Sequence, residues 1–511
     1  VRRIAFAALL IAAGNIASRL IGIFREAVIA GLFGRGADVA VFTAASAVPT
    51  IVYDLLINGA ISAALVPVFS AYAEEDDREF WRVAASVITI ALLAVAAVTG
   101  LLIWQAPLAV ALLAGGFPDT LREQAILMTR LLLPATIFMA LSGLITALLQ
   151  ARQRFLLPAF TTSAYNLGII AGALLLTPFF GPLSLVAGVL LGALLQVILQ
   201  LPGLRGADYR PRIELAHPGV QRILRLYAPV ALGIGFSVVG IVLDRNLASR
   251  LDPSTIPTMR YATTLIQFPL GLVAAAVSFA VLPTLSRQAA ASDEAAFRAT
   301  LAMGIKVVIL LVLPATAGLA ALGGPIVELL YQRGAFDARD TAATARALLF
   351  YLPGLPAAAL DQMLLFAFYA RNRTLAPNLV QGGAILIYAV AAIGLLQFST
   401  LRIEALILGN TAQWIGHLLL LALLARGIVD LRGLRVGEAL AKCLLASALL
   451  AAAGALLTPA LAPFGAFWQI VVAGSAASAA YFGACLLMRV EAVEYVFIAI
   501  RSRIRRNAAS I

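Results

Sequence analysis

Histidine and cysteine are nearly missing from this chain, with two of each in 511 residues: His217, His417, Cys443 and Cys485. Metal centres and thiol chemistry need such residues clustered at ligand spacing, so no metal, metal ligand or organic cofactor is expected. Charge is scarce as well. Only 12% of residues are Asp, Glu, Lys or Arg, against 62% hydrophobic and a mean hydropathy of +0.98. An ordinary soluble protein is excluded by that composition. Nowhere does a large polar domain interrupt the apolar sequence.

What is present instead is a succession of apolar runs of about 20 residues, each long enough as a helix to cross a hydrocarbon core of about 30 Å. The first is too long and too charged for a cleaved signal peptide and reads as a structural helix. Polar breaks near residues 35, 76, 117, 153, 180, 210, 253, 291, 335, 372, 399, 430 and 462 divide the chain into about fourteen helices. The expected fold is therefore an all-α polytopic membrane protein. Alternate breaks differ in charge: one set, with the termini, holds "DDREFWR", "ARQR", "RGADYRPR", "ARNR", "ARGIVDLRGLR" and "RSRIRRN", while the other includes "TPFFGP" and "TPALAPFG". The positive-inside rule then places both termini in the cytoplasm. The net charge of +12 orients the chain against anionic membrane lipids and requires no nucleic-acid partner.

The chain also repeats itself. "AISAALVPVFSAY" from Ala60 is answered by "AVSFAVLPTLSRQ" from Ala276, "GFPD" at Gly116 by "GAFD" at Gly334, and "ARQRFLLP" at Ala151 by "ARNRTLAP" at Ala370. A nearly constant shift over about six helices predicts a parallel pseudo-repeat about an axis along the membrane normal. The expected organisation is an N-terminal lobe at 1–204, a cytoplasmic linker at 205–220, a C-terminal lobe at 221–428, an extra helix pair at 434–488 and a basic amphipathic tail at 489–511. Such folds place a substrate site between their halves.

Charges within apolar spans are the candidate site. An arginine at mid-membrane costs about 2.5–3.5 kcal/mol, so it should face a wet cavity or a partner. Arg19 and Arg25 share the first run with Glu26. Two readings stand for Arg25 and Glu26: mutual neutralisation, or a cavity wall. Arg19 has no acid within a turn, and a guanidinium suits a phosphate because its planar fork donates two hydrogen bonds at any cellular pH. A phosphorylated lipid headgroup is the expected guest. Asp54 and Asn58 share a helix face four residues apart, as an interhelical clamp or as site residues. Asp244 beside Arg245, Arg260, and Asp361 are further intramembrane charges, each with a packing alternative. Asp361 is a candidate for a coupling ion or a proton. Gly59, Pro67, Pro269, Gly271 and Pro283 mark where bending is expected.

"ASRLIGIFREAVIAGLFG", "NGAISAALVPVFSAY", "RFLLPAFTTSAYNLGII" and "RYATTLIQFPLGLVAAAVSFAVLPTLSR" together resemble the MurJ/MviN family of lipid II flippases, in the multidrug/oligosaccharidyl-lipid/polysaccharide exporter superfamily. The match runs in order through both halves and covers nearly the whole chain. It implies a bacterial plasma-membrane transporter rather than an enzyme, with two lobes that alternate access and carry an undecaprenyl-pyrophosphate-linked peptidoglycan precursor to the outer leaflet. It implies a lipid-linked glycan as substrate, cell-wall synthesis proteins as partners, and a final helix pair that holds the lipid tail. Position by position, Ser18, Arg19 and Arg25 match the family's first helix, and Glu26 stands for its usual aspartate. Where the second helix usually has arginines before Glu-Gly, this chain has Tyr53, Asp54, Asn58 and Gly59; the Tyr-Ala-acid-Arg pattern becomes Tyr261, Ala262, Thr263 and Thr264, with Arg260 one turn earlier. Asp244 matches an acid of a sodium site, whereas the asparagines expected with it are Tyr388 and Ala392. The resemblance therefore leaves three readings: a lipid II flippase, a flippase for another polyprenyl-linked glycan or amphiphile, and a transport-inactive scaffold. A membrane-embedded polyprenyl-phosphate enzyme is disfavoured, because the breaks are short and their acids scattered.

Overall fold

The structure, a computed structural model, describes residues 2–371, 373, 375–427 and 429–493, with the side chains of 2–9, 11–12, 62, 272 and 274–280 left aside. From residue 494 onward the expected basic tail lies outside the described residues. All regular structure among the described residues is helical. By packing, the chain divides into two units.

The first unit runs to Thr258 and includes the short segment Arg333–Asp337. Its helices are α1 (Arg2–Phe33), α2 (Ala37–Tyr53), α3 (Val66–Glu75), α4 (Asp77–Trp104), α5 (Ala106–Ala114), α6 (Asp119–Leu132), α7 (Ala135–Ala151), α8 (Leu156–Ala159), α9 (Thr161–Phe180), α10 (Leu183–Gln200) and α11 (Pro218–Ser249). Between α2 and α3 the chain stays helical through two π turns, Asp54–Asn58 and Ile61–Leu65. Pro67 explains the second: it has no N–H for the carbonyl of Ala63 and its ring crowds that turn, so the ladder slips by a residue. Val66 N–H accordingly donates to Ile61 O, five residues back, and Gly59 N–H to Asp54 O. Helices α9 and α10 approach through paired glycines, since a methyl on Gly168 would lie 2.2 Å from Gly192 Cα and one on Gly172 2.3 Å from Gly188 Cα. Small residues four apart let apolar helices bring their backbones into contact in lipid, where burial from water supplies no drive.

The second unit holds Met259–Gln332 and the chain from Ala338. It comprises most of α12 (Thr255–Ala290), then α13 (Glu294–Tyr331), α14 (Ala338–Tyr351), α15 (Leu355–Ala370), α16 (Leu375–Phe398), α17 (Ile403–Ala425), α18 (Val436–Ala460), α19 (Ala466–Trp468) and α20 (Gly474–Leu487). Side chains start several long helices: Asp76 accepts from Arg78 N–H at α4, Asp293 from Ala296 N–H at α13, and His217 Nδ1 from Gly219 N–H at α11.

Eleven helices among the described residues are long and apolar enough to cross a membrane, or twelve when the α6–α7 pair, bent by 40°, counts as one span. The sequence breaks predict about fourteen. Outside that test stand α1 and α12, 32 and 36 residues long, the helices that carry Arg19, Arg25, Glu26 and Arg260. The repeat is legible in contacts within the first unit. "GAFD" lies on the end of α1, where Gly334, at φ +56°, brings its α-carbon so near Gly31 O that a methyl would sit 2.2 Å away; Ala335 N–H bonds the same oxygen at 2.8 Å. "GFPD" lies likewise on the end of α11, with Gly116 N–H bonded to Ser249 Oγ at 3.0 Å and no space for a methyl against Arg250. Matching turns thus meet the ends of matching helices. Packing draws its boundary later than the repeat does, because α11 lies against Gly59 through Ile234 and Tyr227 and against the 116 turn. The lobe limits at 204 and 221 stay a proposal about the repeat.

Candidate functional site

The first-helix charges form a built arrangement. Arg25 donates through Nε and Nη2 to Glu26 Oε1 at 3.1 and 2.5 Å, and through Nη1 to Asn166 Oδ1 on α9 at 2.8 Å. Asn166 returns its Nδ2–H to the carbonyl of Ser18 at 3.2 Å. Glu26 is 1% exposed and Asn166 4%, so the cluster is sealed between α1 and α9. A carboxylate so buried must be paired, and a guanidinium supplies a charge that pH does not remove. Arg25 is therefore committed to Glu26 and Asn166, the neutralising reading of the pair. Asn166 escaped the sequence reading; its signal is an amide in an otherwise apolar run, expected to bond across helices.

Arg19 is placed differently. It is exposed on α1, on a face shared with Asn15, Ile16, Leu20 and Phe24, while the carbonyl of Ser18 beside it is held by Asn166. The backbone beside Arg19 is thus held to α9.

Asp54 and Asn58 bond each other at 2.9 Å within the first π turn, so they form an intrahelical pair and not the interhelical clamp considered from spacing. Asn58 is exposed and Asp54 half-buried. Gly59 follows at the place where α11 crosses, with Ile234 Cδ1 2.3 Å from where a methyl would stand; Pro67 is exposed just after the second π turn. Such turns inside long helices commonly mark functional segments. Asp244 is half-buried on α11.

In the second unit Arg260 is half-buried, and its carbonyl accepts from Thr263 Oγ1 at 3.0 Å and Thr264 Oγ1 at 2.9 Å. The two threonines that replace the family's acid and arginine thus turn back on their own helix. Tyr261 is buried against Tyr331, ring centroids 5.2 Å apart. Pro269, Gly271 and Pro283 lie within α12, which stays α-helical through all three. Asp361 on α15 is bonded to His417 Nδ1 on α17 at 2.7 Å, with side chains 15% and 10% exposed. The histidines, isolated in sequence, both meet carboxylates, for His217 Nε2 lies 3.2 Å from Glu79 Oε2. Because His217 Nδ1 already accepts from Gly219, its Nε2 is the donor in that contact. Among the described residues no group of three or more His, Cys, Asp or Glu is gathered as a metal site.

Comparison with known proteins gives a consistent set. A family model described as lipid II flippase MurJ matches residues 29–471. The lipid II flippase MurJ of Burkholderia cenocepacia is 31% identical over 396 residues, 75% of this chain and 76% of that one. A probable lipid II flippase MurJ of Vibrio cholerae is 32% identical over 391 residues, 74% of each chain. A solved structure of a lipid II flippase MurJ in an inward closed conformation matches with a TM-score of 0.80 at 24% identity, over 94% of this chain and 99% of that one. A MATE-family multidrug transporter of the MOP superfamily, solved inward-facing, matches at 0.69 and 13% identity, over 84% of this chain and 98% of that one. Both structural likenesses speak to the fold alone, an all-helical one.

Proposed function

The chain belongs to the MurJ family of lipid II flippases, and from that premise we propose that it moves the polyprenyl-pyrophosphate-linked peptidoglycan precursor across the bacterial inner membrane by alternating access. It is a multi-pass membrane protein and a lipid II flippase. The finer reading assigns Arg19 as a ligand of the pyrophosphate, with both termini in the cytoplasm. What supports the assignment is the exposed guanidinium on a backbone pinned at Ser18 by Asn166. A positioned fork of this kind donates bidentate, charge-assisted hydrogen bonds to phosphate oxygens. Arg25 serves indirectly, by holding α1 on α9 through Glu26 and Asn166. Arg260 is the proposed second cation of the site.

A coupling ion belongs to the same reading. Asp361 with His417 is the proposed proton site, because an acid and an imidazole meet at 2.7 Å between two apolar helices, where ionisable groups are costly and commonly functional. Asp244 is the alternative, for sodium. One observation favours a second cargo. Where the resembling family carries arginines, Asp54 is occupied with Asn58 and Thr264 with the Arg260 carbonyl. Fewer cations lower the positive potential available to a pyrophosphate.

Growth rescue of a bacterium depleted of its own flippase tests the proposal, comparing the parent with Arg19→Ala at equal membrane abundance. Rescue by the parent alone supports Arg19 as a cargo ligand, and rescue by both removes it. Competition for binding between lipid II and other polyprenyl-linked sugars separates the two cargoes, and indifference to lipid II would exclude the first.

A further inference from the structure

We propose that the cleft between the start of α18 and the turn after α20 binds the phosphate of an anionic membrane phospholipid. The cleft has a volume of about 230 Å³ and is lined by Arg435, Lys442, Arg489, Glu438 and Glu491. Lys306, 5% exposed on α13, reaches it from behind and donates to Glu491 Oε2 at 2.5 Å. Lys442 takes Glu438 at 2.7 Å, with Arg435 at 4.0 Å on the same carboxylate. Both acids are thus engaged, each by its own lysine. Four cations against two acids leave a net charge of +2 around a cleft of headgroup size.

The two guanidiniums decide the ligand class. Arg489 is exposed and has no side-chain partner among the described residues, and Arg435 is held only at the edge of ion-pair distance. A phosphate suits such a pair, since two planar forks from different segments can share its oxygens. Both arginines adopt left-handed backbone conformations, φ 53° and 51°, which side-chain-bearing residues seldom take and which aim them from the helix ends. A lipid source is favoured over a free ion by the same helices. Leu444, Leu445 and Leu449 on α18 and Leu486 and Leu487 on α20 are exposed, so apolar surface for acyl chains adjoins the cationic cleft. Basic pockets between spanning helices at the membrane surface are suited to phospholipid headgroups. This site is separate from the cargo arginine and does not depend on which glycan is moved.

The test is native mass spectrometry of the full chain in detergent, titrated with phosphatidylglycerol or with zwitterionic phosphatidylcholine, and repeated with inorganic phosphate added. The comparison variants are Lys442→Gln/Arg489→Gln and Arg435→Gln/Arg489→Gln, which leave the Lys306–Glu491 pair in place. The parent is expected to prefer phosphatidylglycerol, and each double variant that melts at the parental temperature to lose about tenfold in that affinity. Equal binding of the two lipids by the parent, or unchanged binding by both folded variants, overturns the site. Release of phosphatidylglycerol by an equal concentration of inorganic phosphate overturns the lipid occupant and assigns the cleft to a free phosphate.

Discussion

Each unit holds a carboxylate between two apolar helices, Glu26 in one and Asp361 in the other, and they meet it differently. In the first, Glu26 is held by Arg25 and backed by Asn166 across α1 and α9. In the second, Asp361 is held by His417 across α15 and α17. The planar guanidinium of Arg25 donates to Glu26 and to Asn166 together, so the first contact ties three side chains; the imidazole of His417 reaches Asp361 through Nδ1, a contact between two. The same packing solution therefore gives one joint of three side chains and one of two. The more heavily bonded joint stands on α1, the helix that carries the proposed cargo ligand Arg19.

Breaking the first joint is expected to have the largest effect on stability. Arg25→Ala removes the guanidinium that meets the buried Glu26 at 2.5 Å and should cost about 3–5 kcal/mol, read as a large drop in melting temperature of the purified protein. Arg25→Ala/Glu26→Gln should recover most of that loss, and failure to recover would mean that Arg25 stabilises by something other than its pair. Next comes the second joint. His417→Ala removes a hydrogen bond to a charged partner and should cost about 1.5–3 kcal/mol, while Asp361→Asn should lower coupled transport by roughly 5–150-fold at unchanged abundance. Transport by Asp361→Asn equal to the parent under both sodium-free and proton-gradient-free conditions would remove the ion role. Asn166→Ala sharpens the contrast: it keeps the Arg25–Glu26 pair and loses only interhelical bonds, so about 0.6–1.7 kcal/mol is expected from equilibrium unfolding in detergent. The smallest effect on stability, within about ±0.5 kcal/mol as for an exposed side chain, is predicted for Arg19→Ala, the same variant predicted to lose growth rescue.

Much of this was legible from residue types. Apolar runs and scarce charge indicated spanning helices, and the paired motifs at Gly116 and Gly334 indicated a repeat whose turns now sit on the ends of α11 and α1. Pro67 flagged an irregular helix, although not that the irregularity would take the form of π turns at 54–58 and 61–65. Pro269 and Pro283 carry the same flag, and α12 passes through both without a π turn. A proline removes one donor wherever it stands; the turn that absorbs the loss depends on what packs beside it, and at Gly59 that is α11.

The site residues divide along the same line. That Arg19, Arg25, Glu26 and Asp361 lie at membrane depth follows from the sequence, because charge in an apolar run is costly and must be compensated. Which partner compensates it does not, because Asn166 is 141 positions from Arg25 and His417 is 56 from Asp361. The sequence by itself determined that this chain spans a membrane repeatedly, that it is built as a repeat, and that it carries its few charges where they must be answered. Only the tertiary structure decided that Arg25 is spent on a clamp while Arg19 stays exposed. Both lie on one helix, and the neighbouring helix α9 bonds Arg25 through Asn166 while Arg19 stays exposed.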